Sequence, residues 1–583
     1  MRKVLVGFLM FMAVALNISA QDLNLPGLTS PVNVKVTDVG RMSADVEEEI
    51  VTDSLTGRQD TIYQVVPRVV WKSEDADFMN AQHSRRAVTT STVKGKIHDK
   101  FAEMTVTVFK FTYESINHAG ETVTLSGMAA GPDPKDGSKV SNLLIGTHIT
   151  ITSNSESPSE MKTFKAGDSG VLFSMSGSAS LNLTTGLKIG QKVAKGVVDI
   201  IKTVGQHLVS PADAIKNDVN KLHDWINGVD PAHCLVVMPD YEGYGDTHLH
   251  AHPYLYEELT ARQVLDGAVA ARYAYQHDPA LKDLTLKFRN DWRTIVCGYS
   301  QGGAVAMATH RFIEQNHMDE ELRFTGSICG DGPYDPMSTL MYYVMKDLEG
   351  KTMSMPVVLP LIVKGMLDSN PYMRTHKAEE YFNPKFLETG IMDMLNDKKH
   401  STGDIENAFK DLYKNGKNGN ENYYRDILES NGNAKMRNIM NEQCLKYFTD
   451  IYNNYKNKYK TAEGIPLPTK RGVMEDLHMA LASNDITNGW TPSHHILLFH
   501  SQADTTVPYD NAERAVAKLG KWAVLHTATM GHDHLDSGED FFAGASEGLV
   551  KLALQGDLRV AVAIETLIKC PYKDQKAGDI KSW

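Results

Sequence analysis

A serine flanked by glycines, Gly298-Tyr299-Ser300-Gln301-Gly302, is the strongest chemical signal in the chain. It follows the apolar run TIVC and precedes a stretch in which Val305, Ala308, Thr309 and Phe312 share one helical face. A sharp turn from strand into helix imposes unfavourable backbone angles on its central residue, and glycines on either side leave room for that turn. Ser300 at the tip would present its hydroxyl above the end of a sheet. The N–H of Gln301, in the first helical turn, would face an oxyanion formed there. These are the properties of a nucleophile. The same pentapeptide without a preceding strand and a following helix would be only a tight turn.

A serine hydroxyl at its ordinary pKa needs a base, and the base needs an acid to orient it. With the nucleophile on such an elbow, acid and base follow it in chain order. Asp504 closes the run HILLFHSQAD and is followed by Val507-Pro508. Beyond it, WAVLHTATMGHDHLDSGEDFF carries two histidines, His532 and His534, after an apolar run. A second oxyanion donor is expected from the loop after NLLIGTH, at the backbone N–H of Ile149. His148 precedes the nucleophile and is not expected to be catalytic. In the loop PDYEGYGD, Tyr241 and Tyr244 either face the site or pack the loop. His248, His250 and His252 alternate, as ligands on one side of a strand would. Pro253 and the lack of a suitably spaced acid count against a metal there, so neither metal nor cofactor is expected.

The elements that must hold these residues are equally visible. NLLIGTH, CLVVMPDY, TIVCGYS, FTGSICGDG, HILLFHSQAD and WAVLHTATMGH are short apolar runs ending in Gly, Asp or another polar residue and separated by helical stretches. Continuous apolar strands alternating with helices predict a mostly parallel sheet covered on both faces. Ligands of such sheets bind at the carboxyl ends of the strands, where every motif above lies. Upstream, MTVTVFKFTYES and ETVTLSGMAAG alternate and predict an antiparallel hairpin.

The chain has 583 residues, 42% hydrophobic and 23% charged, with a net charge of −12. This is an ordinary globular balance, and its sign argues against nucleic acid as a partner. Arg2 and Lys3 precede the apolar run Val4–Leu16, with small residues at Ser19 and Ala20. The run is shorter than the ~20 residues of a membrane span and reads as a signal peptide cut after Ala20, hence a secreted or periplasmic protein. No integral membrane segment is expected after cleavage. The five cysteines are an odd number. Cys234, Cys297 and Cys329 fall in expected strands and read as buried apolar side chains, and export would permit a Cys444–Cys570 bridge. The expected organisation is a signal peptide (1–20), an N-terminal extension (21–96), a first core segment (97–333) interrupted by an insertion (153–232), a helical cap (334–489) and a second core segment (490–583). The methionines and aromatics early in the cap read as helix packing, and also as the roof of a substrate pocket.

Taken together, GTHIT (146–150), MPDYEGYGD (238–246), HPYL (252–255), GYSQGG (298–303), HSQADTTVPY (500–509) and GHDHLDSGEDFF (531–542) resemble the secreted bacterial α/β-hydrolases of the secretory lipase/esterase kind, related to the prolyl-oligopeptidase-like hydrolases. The resemblance implies an α/β-hydrolase fold with a large helical cap, and hydrolysis of a small-molecule carboxylic ester. It carries nucleophile, acid and base to Ser300, Asp504 and His534. His532 is the alternative base, because Gly531-His532 also matches a pair common in this fold. Asp331, after the strand that follows the nucleophile helix, is the alternative acid. The oxyanion loop departs from the family's usual His-Gly, having His148-Ile149, and the two insertions carry no family motif. The expectation is a secreted serine esterase. The alternatives are a serine peptidase with the same triad and a non-catalytic binding protein on this scaffold. Oligomeric state is left open.

Overall fold

The computed structural model describes residues 33–52, 59–74, 106–132, 139–161, 234–285, 287–528 and 532. The signal peptide, most of the insertion and the chain after residue 532 lie outside the described residues. The described strands form one ten-stranded sheet in the order β10-β9-β8-β7-β5-β6-β4-β3-β1-β2. Strands β5 (Val140–Thr147), β6 (Cys234–Pro239), β7 (Phe288–Tyr299), β8 (Phe324–Gly330), β9 (His495–Ser501) and β10 (Ala523–Ala528) are mutually parallel. β6 and β8 are buried along their whole length, which is why they read as unbroken apolar runs rather than alternating ones.

The expected hairpin is present as β3 (Val106–Ile116) and β4 (Thr122–Pro132), and β4 joins the parallel part by pairing antiparallel with β6. The sheet does not stop there. β1 (Lys35–Thr52) pairs with β3, and β2 (Gln59–Trp71) pairs with β1, so part of the N-terminal region continues the central sheet. Helix α1 (Glu257–His277) packs on β3 and β6, α2 (Gln301–Gln315) on β7 and β8, and the two helices pack on each other. The register sets the chemistry. Thr147 lies opposite Gly298, Tyr299 opposite Gly330 and Gly330 opposite Phe499, so the residues after β5, β7, β8 and β9 emerge side by side.

Between β8 and β9 the chain leaves for a helical cap. It includes α3 (Pro336–Leu348), α4 (Val358–Ser369), α5 (Ile391–Asp397), α6 (Thr402–Asn415), α7 (Glu442–Tyr455) and α8 (Val473–Ser483). The cap has its own apolar core, with Met337, Met341, Tyr343, Met366, Phe386 and Phe448 all buried. That is the packing role expected of its methionines and aromatics. Among the described residues no helix is long and apolar enough to cross a membrane.

One buried side chain fastens both ends of the cap to the core. Arg514 lies on α9 (Asp510–Leu519), the helix between β9 and β10. Its Nη2 donates to Asp485 Oδ2 at 2.8 Å where the cap chain returns, and its Nε lies 3.7 Å from Asp335 Oδ2 where that chain leaves. Removing the cation would leave the buried Asp335 and Asp485 side chains without their shared counter-charge. Arg514→Met, which keeps the aliphatic stem, is therefore expected to lower the unfolding free energy by about 3–5 kcal/mol. Urea denaturation checks this, and an unchanged midpoint would rule out the clamp.

Candidate active site

Ser300 sits between β7 and α2 with φ 57 and ψ −126, a region L-residues rarely occupy. The neighbours hold it there. Ser300 N donates to Gly330 O at 2.8 Å, and Gly303 N donates to Ser300 O at 2.9 Å. The Thr147 hydroxyl donates to Gly302 O at 2.7 Å from the adjoining strand end. A Cβ on Gly298 would overlap the Thr147 hydroxyl and the Gly302 carbonyl, and one on Gly302 would overlap the Thr147 carbonyl. Both glycines are thus required by close backbone approach.

The Ser300 hydroxyl lies 2.9 Å from His532 Nε2, and His532 Nδ1 lies 2.6 Å from Asp504 Oδ2. The other Asp504 oxygen accepts from the N–H groups of Thr506 and Val507, both at 2.8 Å, so the loop backbone orients the carboxylate. The Tyr299 ring stacks on the imidazole at 5.4 Å, and its hydroxyl donates to His532 O at 3.1 Å. The base preferred from the sequence, His534, is not part of the described structure. The hydrogen-bonded chain runs through His532, the alternative.

Asp331, the alternative acid, is part of the same cluster. One carboxylate oxygen each of Asp331 and Asp504 and a ring nitrogen of His532 lie within 4.8 Å of one another. Yet Asp331 Oδ1 accepts from Ser501 N at 2.6 Å, and its Oδ2 is buried without a partner among the described residues. Burial raises its carboxyl pKa, and the adjacent Asp504 adds to the rise. A carboxyl held towards its neutral form is a poor counter-ion for an imidazolium. Asp504 is the carboxylate that accepts the hydrogen bond from His532 Nδ1.

The loop carrying Ile149 is fastened from several sides. Tyr241 donates to His148 O at 3.2 Å and stacks on the His148 ring at 3.7 Å. Tyr244 donates to Ile151 O at 2.5 Å, and Tyr254 pairs with the Thr150 hydroxyl at 3.0 Å. Tyr241 and Tyr244 are therefore loop-packing residues. His148 is buried between the carbonyls of Ile149 and Asp240, and burial lowers its pKa to about 4, leaving it neutral at pH 7. The N–H groups of Gln301 and Ile149 find no backbone acceptor among the described residues.

Sequence reasoning missed the partner of Gln301. Its side-chain Nε2 donates to His252 Nε2 at 3.0 Å, and His252 Nδ1 donates to Glu242 O at 2.8 Å. This chain fixes the residue beside the nucleophile. Of the three alternating histidines, only His252 reaches the elbow: His248 meets Gly245 O and His250 meets Glu242. Cys234, Cys297, Cys329 and Cys444 are buried, Cys444 has no bridge among the described residues, and Cys570 lies outside them.

Glu257, at the start of α1, is buried, and both its carboxylate oxygens lack a partner among the described residues. Burial pushes its pKa up to about 8. The unfolded value is ~4.3, so between these limits the folded state binds more protons and stability falls as pH rises. Unfolding measured by urea at about pH 5 and about pH 9 should show that loss, and Glu257→Gln should remove much of it. Equal pH slopes in the two proteins would contradict this reading.

The cap reaches the acid loop directly. Tyr343 donates to Thr506 O at 2.5 Å, and the Ser354 and Thr505 hydroxyls pair at 2.9 Å. A cavity of about 170 Å³ opens there, lined by Tyr342, Lys346, Met353, Asn433 and Thr505 among others.

Among solved structures, the chain is similar to a putative hydrolase from Legionella pneumophila, at 16% identity and a TM-score of 0.50, over 78% of this chain and 92% of that one. It is also similar to the rice cell wall degrading esterase LipA from Xanthomonas oryzae, at 20% identity and a TM-score of 0.45, over 78% and 92%. Lipase A from Candida antarctica matches at 13% identity and a TM-score of 0.39, over 73% of each chain. Neither family models nor curated proteins give a match.

Proposed function

We propose, for a chain that has the α/β-hydrolase fold, that it is a serine hydrolase of carboxylic esters. The observation that carries this is the hydrogen-bonded chain from the strained Ser300 through His532 to Asp504. His532 Nε2 takes the Ser300 proton as Oγ attacks the ester carbonyl. Asp504 holds Nδ1–H, keeps the tautomer that leaves Nε2 basic, and stabilises the imidazolium. The N–H groups of Gln301 and Ile149 receive the oxyanion. As the tetrahedral intermediate collapses, His532 returns the proton to the leaving alcohol. Water, activated by the same imidazole, then releases the acid and regenerates Ser300. Every step uses groups of this chain and the solvent. The proposal also includes export, which rests on the sequence of residues 2–20.

Turnover of p-nitrophenyl acetate, butyrate and palmitate, beside a panel of peptide anilides, tests the reading. Ester cleavage without anilide cleavage supports it. Anilide cleavage without ester cleavage would replace it with a peptidase, and turnover of neither would leave the scaffold as a binding protein.

A further inference from the structure

At the opposite end of the sheet from Ser300, three side chains converge without any role in the hydrolytic site. His310 and Glu314 lie one turn apart near the end of α2, and His494 immediately precedes β9. His310 Nε2 is 3.1 Å from Glu314 Oε1, and His494 Nδ1 is 2.9 Å from the same oxygen. All three donor atoms lie within 4.8 Å of one another. We propose that His310, Glu314 and His494 form a structural site for a divalent transition metal, zinc in the first instance.

The two separations from Glu314 Oε1, 3.1 and 2.9 Å, are close to what a shared ion imposes. Donors held about 2.1 Å from one metal, at tetrahedral or octahedral angles, are roughly 3.0–3.4 Å apart. Two imidazoles and one carboxylate are a donor set that zinc accepts, with water completing the shell.

A second observation concerns the crowding of one oxygen. Glu314 Oε1 is approached by His310 Nε2, His494 Nδ1, His494 N, Ser493 N and Ser493 Oγ, all at 3.1 Å or less. A carboxylate oxygen has about two lone-pair sites, so these groups exceed what it can accept. Ser493 N also reaches Glu314 Oε2 at 3.0 Å, but the backbone N–H groups can only donate, whereas an imidazole nitrogen can turn its lone pair to a cation. Ser327 Oγ, 2.8 Å from His310 Nδ1, can take the proton of the other nitrogen and so hold the tautomer that frees Nε2. Phe324 and Trp490 wall the buried side edge-on, while His494 is partly exposed and gives the ion a way in. The end of α2 adds the negative pole of a helix beside it. An ion here would tie the helix that starts at Ser300 to the strand that leads to Asp504.

The test uses the full, untagged protein, stripped with a chelator and then titrated with zinc chloride. Metal retained after gel filtration and the thermal midpoint are read for wild type, His494→Ala and His495→Ala, the last altering a neighbour outside the donor set. The proposal expects wild type and His495→Ala to retain about one zinc per chain and to melt higher with zinc, and His494→Ala to lose both responses. Cobalt(II) at the same site should give a visible ligand-field band that His494→Ala lacks. Wild type that neither retains zinc nor shifts its midpoint overturns the proposal. Retention by His494→Ala equal to wild type overturns it as well.

Discussion

Ser300→Ala is expected to lower kcat for p-nitrophenyl esters by on the order of 10⁴–10⁶ while leaving the fold intact. Alanine removes only the attacking oxygen. The hydrogen bonds that hold the elbow use the backbone of Ser300 and the side chain of Thr147, and all of them survive. Substrate binding and the oxyanion N–H groups survive too, so KM should change far less than kcat. The thermal midpoint should stay level or rise, because the strained position no longer carries a buried hydroxyl. Steady-state kinetics with a melting curve on the same sample decides this. A variant with wild-type kcat would remove Ser300 from the reaction.

The second large effect separates two histidines that stand two residues apart. His532→Ala should cost a kcat loss of the same order as Ser300→Ala, and combining the two should add little, because groups that act as a unit are not additive. His534→Ala should leave kcat within the same order of magnitude as wild type. The asymmetry follows from geometry: His532 bridges Ser300 at 2.9 Å and Asp504 at 2.6 Å. Parallel kinetics on the three variants checks it. Loss in His534→Ala with retention in His532→Ala would reverse the assignment.

These two cases show what can be read from the chain before folding it. The parallel strands were legible because burial on both faces demands unbroken apolar runs, and β6 and β8 have them. The elbow was legible because its glycines answer a local steric demand, confirmed at Gly298 and Gly302 by what a Cβ would strike. The choice between His532 and His534 was not legible. Both follow the same apolar run in the same polar stretch of sequence, and sequence spacing does not say which ring meets Ser300. The link from Gln301 to His252 joins residues 49 positions apart through a single amide, with no periodicity to announce it. The Arg514 clamp escaped for the same reason, since an arginine on an amphipathic helix reads as surface until the two carboxylates around it are placed. The sheet extension by β1 and β2 was not legible, because edge pairing is set by partners far away in sequence.

The most direct measurement of the central claim is covalent labelling with a fluorophosphonate, followed by intact mass and peptide mapping. Such a reagent is attacked only by a serine whose proton a neighbouring base removes. The account predicts one adduct per chain, on the peptide that carries Ser300, and none in Ser300→Ala or His532→Ala. An adduct on any other residue, or a chain that stays unlabelled while hydrolysing esters, would contradict it.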